Sequence, residues 1–144
     1  MRRIVRIKNR SMEPTIKNND LLISSSATDK TELERGQIVV VKLDHDSEKL
    51  SVKRIIGLQN ELLKIDSGQI YVNGSPLSEP YIDHLPKSKG LEHLTCKIPY
   101  GHIFLLSDFR NFHHVVDSRK LGPISISKIT DVVRLRIWPP LKIF

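Results

Sequence analysis

Leu62-Leu63-Lys64-Ile65-Asp66-Ser67-Gly68-Gln69-Ile70-Tyr71-Val72-Asn73-Gly74 reads as two short strands and two tight turns. Leu62–Asp66 and Gln69–Val72 are brief apolar runs, Asp66-Ser67-Gly68 is a hairpin turn between them, and Asn73-Gly74 is a second turn. The same pattern recurs along the chain. Ile4–Lys8, Leu21–Ser25, Gln37–Lys42, Leu50–Ile56, Leu94–Ile98, Ile103–Leu106 and Ile129–Ile137 are further expected strands, separated by Gly, Pro, Asn, Asp and Ser. In the last, Val133, Leu135 and Ile137 alternate with Arg134 and Arg136, which predicts one face for each set. Thr28–Arg35 reads as one helical turn or a loop, and no stretch carries a long amphipathic helical period. Pro76–Gly90, with its prolines and serines, reads as a long exposed loop. The expectation is a mainly β fold: one domain over residues 1–144, built of antiparallel sheets with little helix.

Composition fits that expectation. The 144 residues suffice for one core, and a 39% hydrophobic and 27% charged chain is an ordinary globular one. The net charge of +7 leaves open an acidic partner, nucleic acid or an anionic membrane surface, with solubility the simplest reading. Only Arg2, Arg3, Arg6, Lys8 and Arg10 form a dense basic run. The single cysteine, Cys96, excludes an internal disulfide and reads as a small buried hydrophobe of its strand. The longest apolar runs, such as Ile38–Val41 and Ile103–Leu106, fall far short of the ~20 residues a membrane-spanning helix needs. The expectation is a soluble chain or one whose anchor has been cut away, and numbering from Met1 favours the first.

Three segments carry chemistry: Ser11-Met12-Glu13-Pro14-Thr15, Val52-Lys53-Arg54-Ile55-Ile56-Gly57, and Leu106-Ser107-Asp108-Phe109-Arg110 followed by Asp117-Ser118-Arg119-Lys120-Leu121-Gly122-Pro123-Ile124. A serine hydroxyl is a poor nucleophile until a base removes its proton. A lysine can be that base if its pKa falls from ~10.4 toward ~7–8, a shift of roughly 4 kcal/mol that burial can supply. Lys53 sits in an apolar strand. Alternation places Ser51, Lys53 and Ile55 on one face and Val52, Arg54 and Ile56 on the other. Both faces are mixed, so the burial of Lys53 against Arg54 stays open; arginine would not serve, because it does not deprotonate. Pro14 stops the strand before it, and a sharp turn at Ser11 would expose the hydroxyl.

In this order the segments resemble the signature boxes of the signal peptidase I family, peptidase family S26. Ile70-Tyr71-Val72-Asn73-Gly74-Ser75-Pro76-Leu77 and Glu79-Pro80-Tyr81 resemble the stretch between the family's second and third boxes, so the likeness runs from about Val5 to Trp138. It implies a signal-peptidase catalytic core and a serine endopeptidase that removes an N-terminal leader or signal peptide. Ser11 would be the nucleophile and Lys53 the general base. The Ser11 amide and the Asn9 side chain would form the oxyanion hole, although Asn9 also suits a plain turn. Met12 would be a substrate-pocket residue, or else a core methionine. Asp117, Ser118 and Arg119, with Asp108 and Arg110, would support the active-site wall. No cofactor or metal is expected. The partner would be a precursor's leader peptide, bound as an extended strand at a sheet edge, with small residues one and three positions before the cut. A short form without an anchor is similar to small maturation proteases, one group of which trims the leader of nickel-containing superoxide dismutase.

The chain departs from the family pattern at three places. The third box reads Ser107-Asp108-Phe109-Arg110 where the family has Gly-Asp-Asn-Arg, and the gap from Arg110 to Asp117 is about two residues longer. Val115 replaces a hydroxyl residue that in the family helps orient the lysine ammonium. Ser118, Ser107 or a water could substitute.

Other readings are weaker. His113 or His114 with Asp117 would make a Ser–His–Asp site titrating near pH ~6.5, but adjacent loop histidines read more simply as exposed. His45, His84, His93, His102, His113 and His114 show no paired zinc-ligand spacing, and Asp44-His45-Asp46 suits a hydrophilic turn. An inactive peptidase-fold binding module would lack the aromatics of a nucleic-acid stacking platform, and no nucleic acid partner is expected. The self-cleaving repressor family shares a Ser-Met box and a Lys-Arg pair, but the chain lacks that family's N-terminal helices and self-cleavage arm, and has an Asp-Ser-Arg box that the repressors lack. The expected location is cytoplasmic or peripheral at a membrane, or membrane-anchored if the chain is truncated. Trp138–Phe144, preceded by Arg134 and Arg136, could touch a membrane surface, although packing on the domain is simpler. The oligomeric state stays open.

Overall fold

Both turns quoted above form with two successive left-handed residues: Ser67 and Gly68 at φ 50° and 79°, then Asn73 and Gly74 at φ 50° and 84°. That is the geometry whose twist matches paired strands, and it needs Gly, Asn or a similarly tolerant residue. The computed structural model describes residues 1–43, 49–85, 93–111, 114–138 and 141–144, with the side chain of Trp138 left out. Its strands are β1 (Arg2–Arg6), β2 (Leu21–Ser26), β3 (Ile38–Lys42), β4 (Leu50–Gly57), β5 (Leu62–Asp66), β6 (Gln69–Val72), β7 (Ser75–Pro76), β8 (His93–Lys97), β9 (His102–Leu106), β10 (Ile124–Ser125), β11 (Ile129–Trp138) and β12 (Lys142–Ile143). One short helix, α1 (Ser118–Leu121), is capped by the Asp117 carboxylate, which accepts from the Arg119 N–H. The fold is mainly β and antiparallel, as expected.

The large sheet runs β1-β2-β11-β3-β4-β9-β10, with β12 added to β11; the small one runs β7-β6-β5-β8. Ile38–Val41 of β3 and Val52–Gly57 of β4 are buried on both faces of the large sheet. Val40 and Val52 join Met12, Ile16 and Leu22 in one core cluster, while Val39 and Ile55 join Leu105 and Val132 in another. A third cluster, with Ile56, Leu63, Ile98 and Phe104, welds the small sheet to the large one. Gly57 lies at that weld: a Cβ there would stand 2.3 Å from Ile98 Cδ1. Cys96 is half-buried on the inner side of β8 and packs against the same cluster, in keeping with a hydrophobe's role.

Strand β11 corrects the simple alternation. Register shifts fall between Val133 and Leu135 and between Arg136 and Trp138. Each bulge resets which face a residue meets. Val132 and Val133, ahead of both shifts, are buried on opposite faces against different clusters, whereas Arg136, beyond the first shift, is buried rather than displayed. The loop after β7 is also not simply exposed. Glu79 is buried, and Tyr81 packs on Arg54 with the guanidinium 3.7 Å from its ring centroid. Thr28–Arg35 is a loop with a turn closed by the Thr31 N–H donating to the Thr28 carbonyl.

Candidate active site

Ser11 lies in a turn between β1 and β2, pinned where it would face β4. The Phe109 N–H donates to the Ser11 carbonyl at 3.0 Å, and the Glu13 and Ile16 N–H groups close turns onto Arg10 and Met12. The Ser11 and Lys53 side chains meet in a buried contact, Lys53 Nζ to Ser11 Oγ, at 3.3 Å. The two residues are 6% and 4% exposed. Burial lowers the Lys53 pKa to about 8; Asp117 and Asp108 oppose the shift and Arg119 adds to it. An amine in that condition is about one-tenth neutral at pH ~7 and half neutral near pH ~8, and a proton acceptor requires that neutral form.

Ser11 has a second partner. Its hydroxyl donates to Asn9 Oδ1 at 2.9 Å, and its N–H donates to the same oxygen at 3.1 Å. Asn9 thus offers its carbonyl oxygen to Ser11, not the NH2 expected of an oxyanion-hole donor. Met12 is 1% exposed inside the core cluster with Ile16 and Leu22, so its side chain fills the core rather than a substrate pocket.

The Asp-Ser-Arg box forms a compact brace. Burial opposes charge on Asp117, yet hydrogen bonds and the charge of Arg119, with backbone N–H groups of Ser107 and Arg119, hold its carboxyl below the usual range. The Ser107 N–H donates to Asp117 Oδ2 at 3.1 Å, and Arg119 Nη1 donates to the Arg110 carbonyl at 2.7 Å. Arg110 Nε in turn donates to the Ser107 carbonyl at 2.6 Å. Arg110 also pairs with Glu79, with Nη1 3.1 Å from Oε2. Ser118 Oγ accepts from the Leu105 N–H at 2.8 Å, so that hydroxyl tethers α1 to β9.

Behind Lys53, Arg54 points the other way. It binds Asp108 through Nε at 2.8 Å and Nη2 at 2.6 Å, and Asp108 also accepts from Thr15 Oγ1 at 2.6 Å. This clamp ties the loop carrying Ser11 to the third box. Sequence reasoning missed Thr15, Arg54, Glu79 and Tyr81 as parts of the framework; the one available signal was an arginine and an aspartate set in apolar surroundings.

A cleft of about 680 Å³ opens beside the pair. Val5, Asn9, Leu50, Val52, Val115 and Val116 contribute to its wall, together with Ser11 and Lys53. His114 also lines it, whereas His45, His113 and Asp44–Asp46 lie outside the described residues. The chain matches the family described as "Signal peptidase, peptidase S26" over residues 2–138. It belongs to that family.

Signal peptidase I V of Bacillus subtilis is 34% identical over 136 residues, covering 85% of this chain and 78% of that protein. Signal peptidase IB of Staphylococcus aureus is 30% identical over 149 residues, covering 92% and 76%. A probable signal peptidase I-2 of Synechocystis is 34% identical over 142 residues, and the match spans only 62% of its length. The crystal structure of a signal peptidase I from Enterococcus faecalis shares the fold, with a TM-score of 0.60 at 24% identity over 71% of this chain and 97% of that one. Among the described residues, no helix is long and apolar enough to cross a membrane, and no three His, Cys, Asp or Glu side chains gather as a metal site would require.

Proposed function

We propose that this family member is a Ser–Lys endopeptidase that removes a leader peptide from a precursor protein. The buried 3.3 Å contact between Lys53 Nζ and Ser11 Oγ carries the reading. Neutral Lys53 takes the hydroxyl proton as Ser11 Oγ attacks the scissile carbonyl. The resulting ammonium then passes the proton to the leaving amine, and water attacks the acyl-enzyme by the same relay. In the resting arrangement the hydroxyl proton and the Ser11 N–H are both held by Asn9 Oδ1. A bound carbonyl competes for that N–H, and half a turn of the Asn9 amide brings its NH2 toward the oxyanion.

Two open strand edges border the cleft. Among the described residues, strand β1 pairs with β2 alone, and Leu50–Lys53 of β4 pair with β3 but not with β9, whose pairing covers Arg54–Gly57. An extended leader adding its backbone to such edges needs no side-chain code beyond small groups facing the apolar wall. Mass spectrometry of products from a leader-peptide library tests the function. Ser11→Ala and Lys53→Met should each abolish cleavage while retaining the native circular dichroism; full activity in either variant refutes the dyad. A wild-type protein that binds leaders without cutting them would favour the binding-module reading. A neighbouring gene whose product carries a short leader would name the precursor, nickel superoxide dismutase included.

We also propose that the enzyme works peripherally on an anionic membrane surface. Register aligns Ile4, Ile23, Leu135 and Ile143 in one row across four strands, β1, β2, β11 and β12. Ile4 and Ile143 are 68% and 77% exposed. Arg2 and Arg6 flank Ile4 on the same face, and Arg134 reaches Ser25 beside it. An apolar row rimmed by cations suits an interfacial surface. Ile4→Ser with Ile143→Ser should weaken co-sedimentation with phosphatidylglycerol vesicles; equal binding by the variant would refute this surface.

A further inference from the structure

Among the described residues, one buried side-chain oxygen or nitrogen has no hydrogen-bond partner: Ser107 Oγ. The residue is 0% exposed. An orphaned buried hydroxyl costs stability and calls for a reason. Its position supplies one. Strands β4 and β9 pair Ile55 with Leu105 and Arg54 with Leu106. Continued by one residue past the paired stretch, that register sets Lys53 opposite Ser107. Opposed residues of an antiparallel pair project to the same face, and the Ile55 and Leu105 side chains do meet in one cluster on that face. Two more ties hold Ser107 there. Its N–H binds Asp117, the largest influence on Lys53 after burial, and Phe109 two residues later binds the Ser11 carbonyl.

We infer that Ser107 Oγ is the positioning acceptor for the Lys53 ammonium that forms when Ser11 is deprotonated. The inference rests on the peptidase reading above and deepens it. Among the described residues, resting Lys53 makes one side-chain hydrogen bond, to Ser11 Oγ. Once protonated it has three N–H groups in a pocket whose other charges are already committed: Asp117 to Arg119, Asp108 to Arg54. The Ser118 hydroxyl is taken by Leu105, and Val115 offers none. Among the buried side chains of the described residues, Ser107 Oγ is the acceptor left over. Because it binds the charged form better than the neutral one, it stabilises the state after proton transfer more than the ground state, which is what accelerates a step. A serine at 107 thereby supplies the hydroxyl absent at 115.

The test compares Ser107→Ala and Ser107→Thr with wild type, using leader-peptide kinetics and 13C NMR titration of the Lys53 Cε, assigned by Lys53→Met. Losing the acceptor disfavours the ammonium, so the Lys53 titration in Ser107→Ala should move down by about one pH unit, and the acid limb of kcat/KM with it. The plateau should fall about 10–100-fold through kcat rather than KM, the worth of one hydrogen bond to a charged group. Above about pH 8, where folded Lys53 is neutral and the hydroxyl goes unused, the melting temperature should hold or rise; below it, where the ammonium uses that hydroxyl, it should fall. Ser107→Thr should restore both rate and limb. An unmoved Lys53 titration in Ser107→Ala overturns the assignment whatever the rates do. The NMR measurement needs no turnover, so a wild-type protein that cuts nothing would strike at the peptidase reading and leave this test standing.

Discussion

Lys53 and Arg54 are chain neighbours on opposite faces of β4, almost equally buried at 4% and 6%, and they are used in opposite ways. Arg54 has its charge fully answered: Asp108 on two nitrogens, the Gly36 carbonyl on a third at 2.8 Å, and the Tyr81 ring across its plane. Among the described residues, the Lys53 ammonium nitrogen meets one hydroxyl, at 3.3 Å. A buried cation with every nitrogen bonded is a structural clamp. A buried amine with one weak partner sheds its proton, and that makes it reactive. The sheet thus separates framework from chemistry across the thickness of a single strand.

The comparison breaks most visibly on the clamp side. Asp108→Ala leaves the Arg54 charge and the Thr15 hydroxyl without their partner, and should cost about 3–5 kcal/mol of stability in a denaturant titration. A loss under about 1 kcal/mol would mean that the clamp is not structural.

On the chemical side the sign reverses. The folded state gives up the Lys53 proton at about pH 8, whereas the unfolded chain keeps it to 10.5. Between those values the unfolded state binds more protons, so stability rises with pH through the window, and below it the burial penalty of about 3 kcal/mol is fully present. Lys53→Met should therefore stabilise the protein by up to that amount at pH ~7 and flatten the rise above pH ~8. A destabilised Lys53→Met would show that Lys53, like Arg54, is held by its partners.

The smallest effect is expected at the rim. Arg10 pairs with Glu13 at 3.0 Å but is 61% exposed, and Arg10→Ala should leave the denaturant midpoint unchanged within error. A measurable loss would extend the framework out to the surface.

Much of this architecture was legible beforehand. Hairpin turns with Ser-Gly and Asn-Gly fix their local geometry, and short apolar runs between them had only strands to form. Strands β7, β10 and β12, of two residues each, carry no period to read. The bulges of β11 were hidden because an inserted residue leaves the composition unchanged while reversing the faces. The alternation around Lys53 was readable, but both faces mixed polar with apolar residues, so only the neighbouring strands could tell clamp from base. Glu79 was read as part of an exposed loop because its burial depends on Arg110, 31 residues away. The orientation of Asn9 is set by the Ser11 turn itself, which no residue pattern encodes.

The claim beneath all this is that an uncharged Lys53 takes the Ser11 proton. Its most direct test is the pH profile of kcat/KM for a cleaved leader peptide, run on wild type and Lys53→Met together. The account predicts a single acid limb near pH 8 in wild type and no measurable cleavage by the variant. A limb near pH ~6.5, the mark of a histidine base, or cleavage surviving in Lys53→Met, would contradict it.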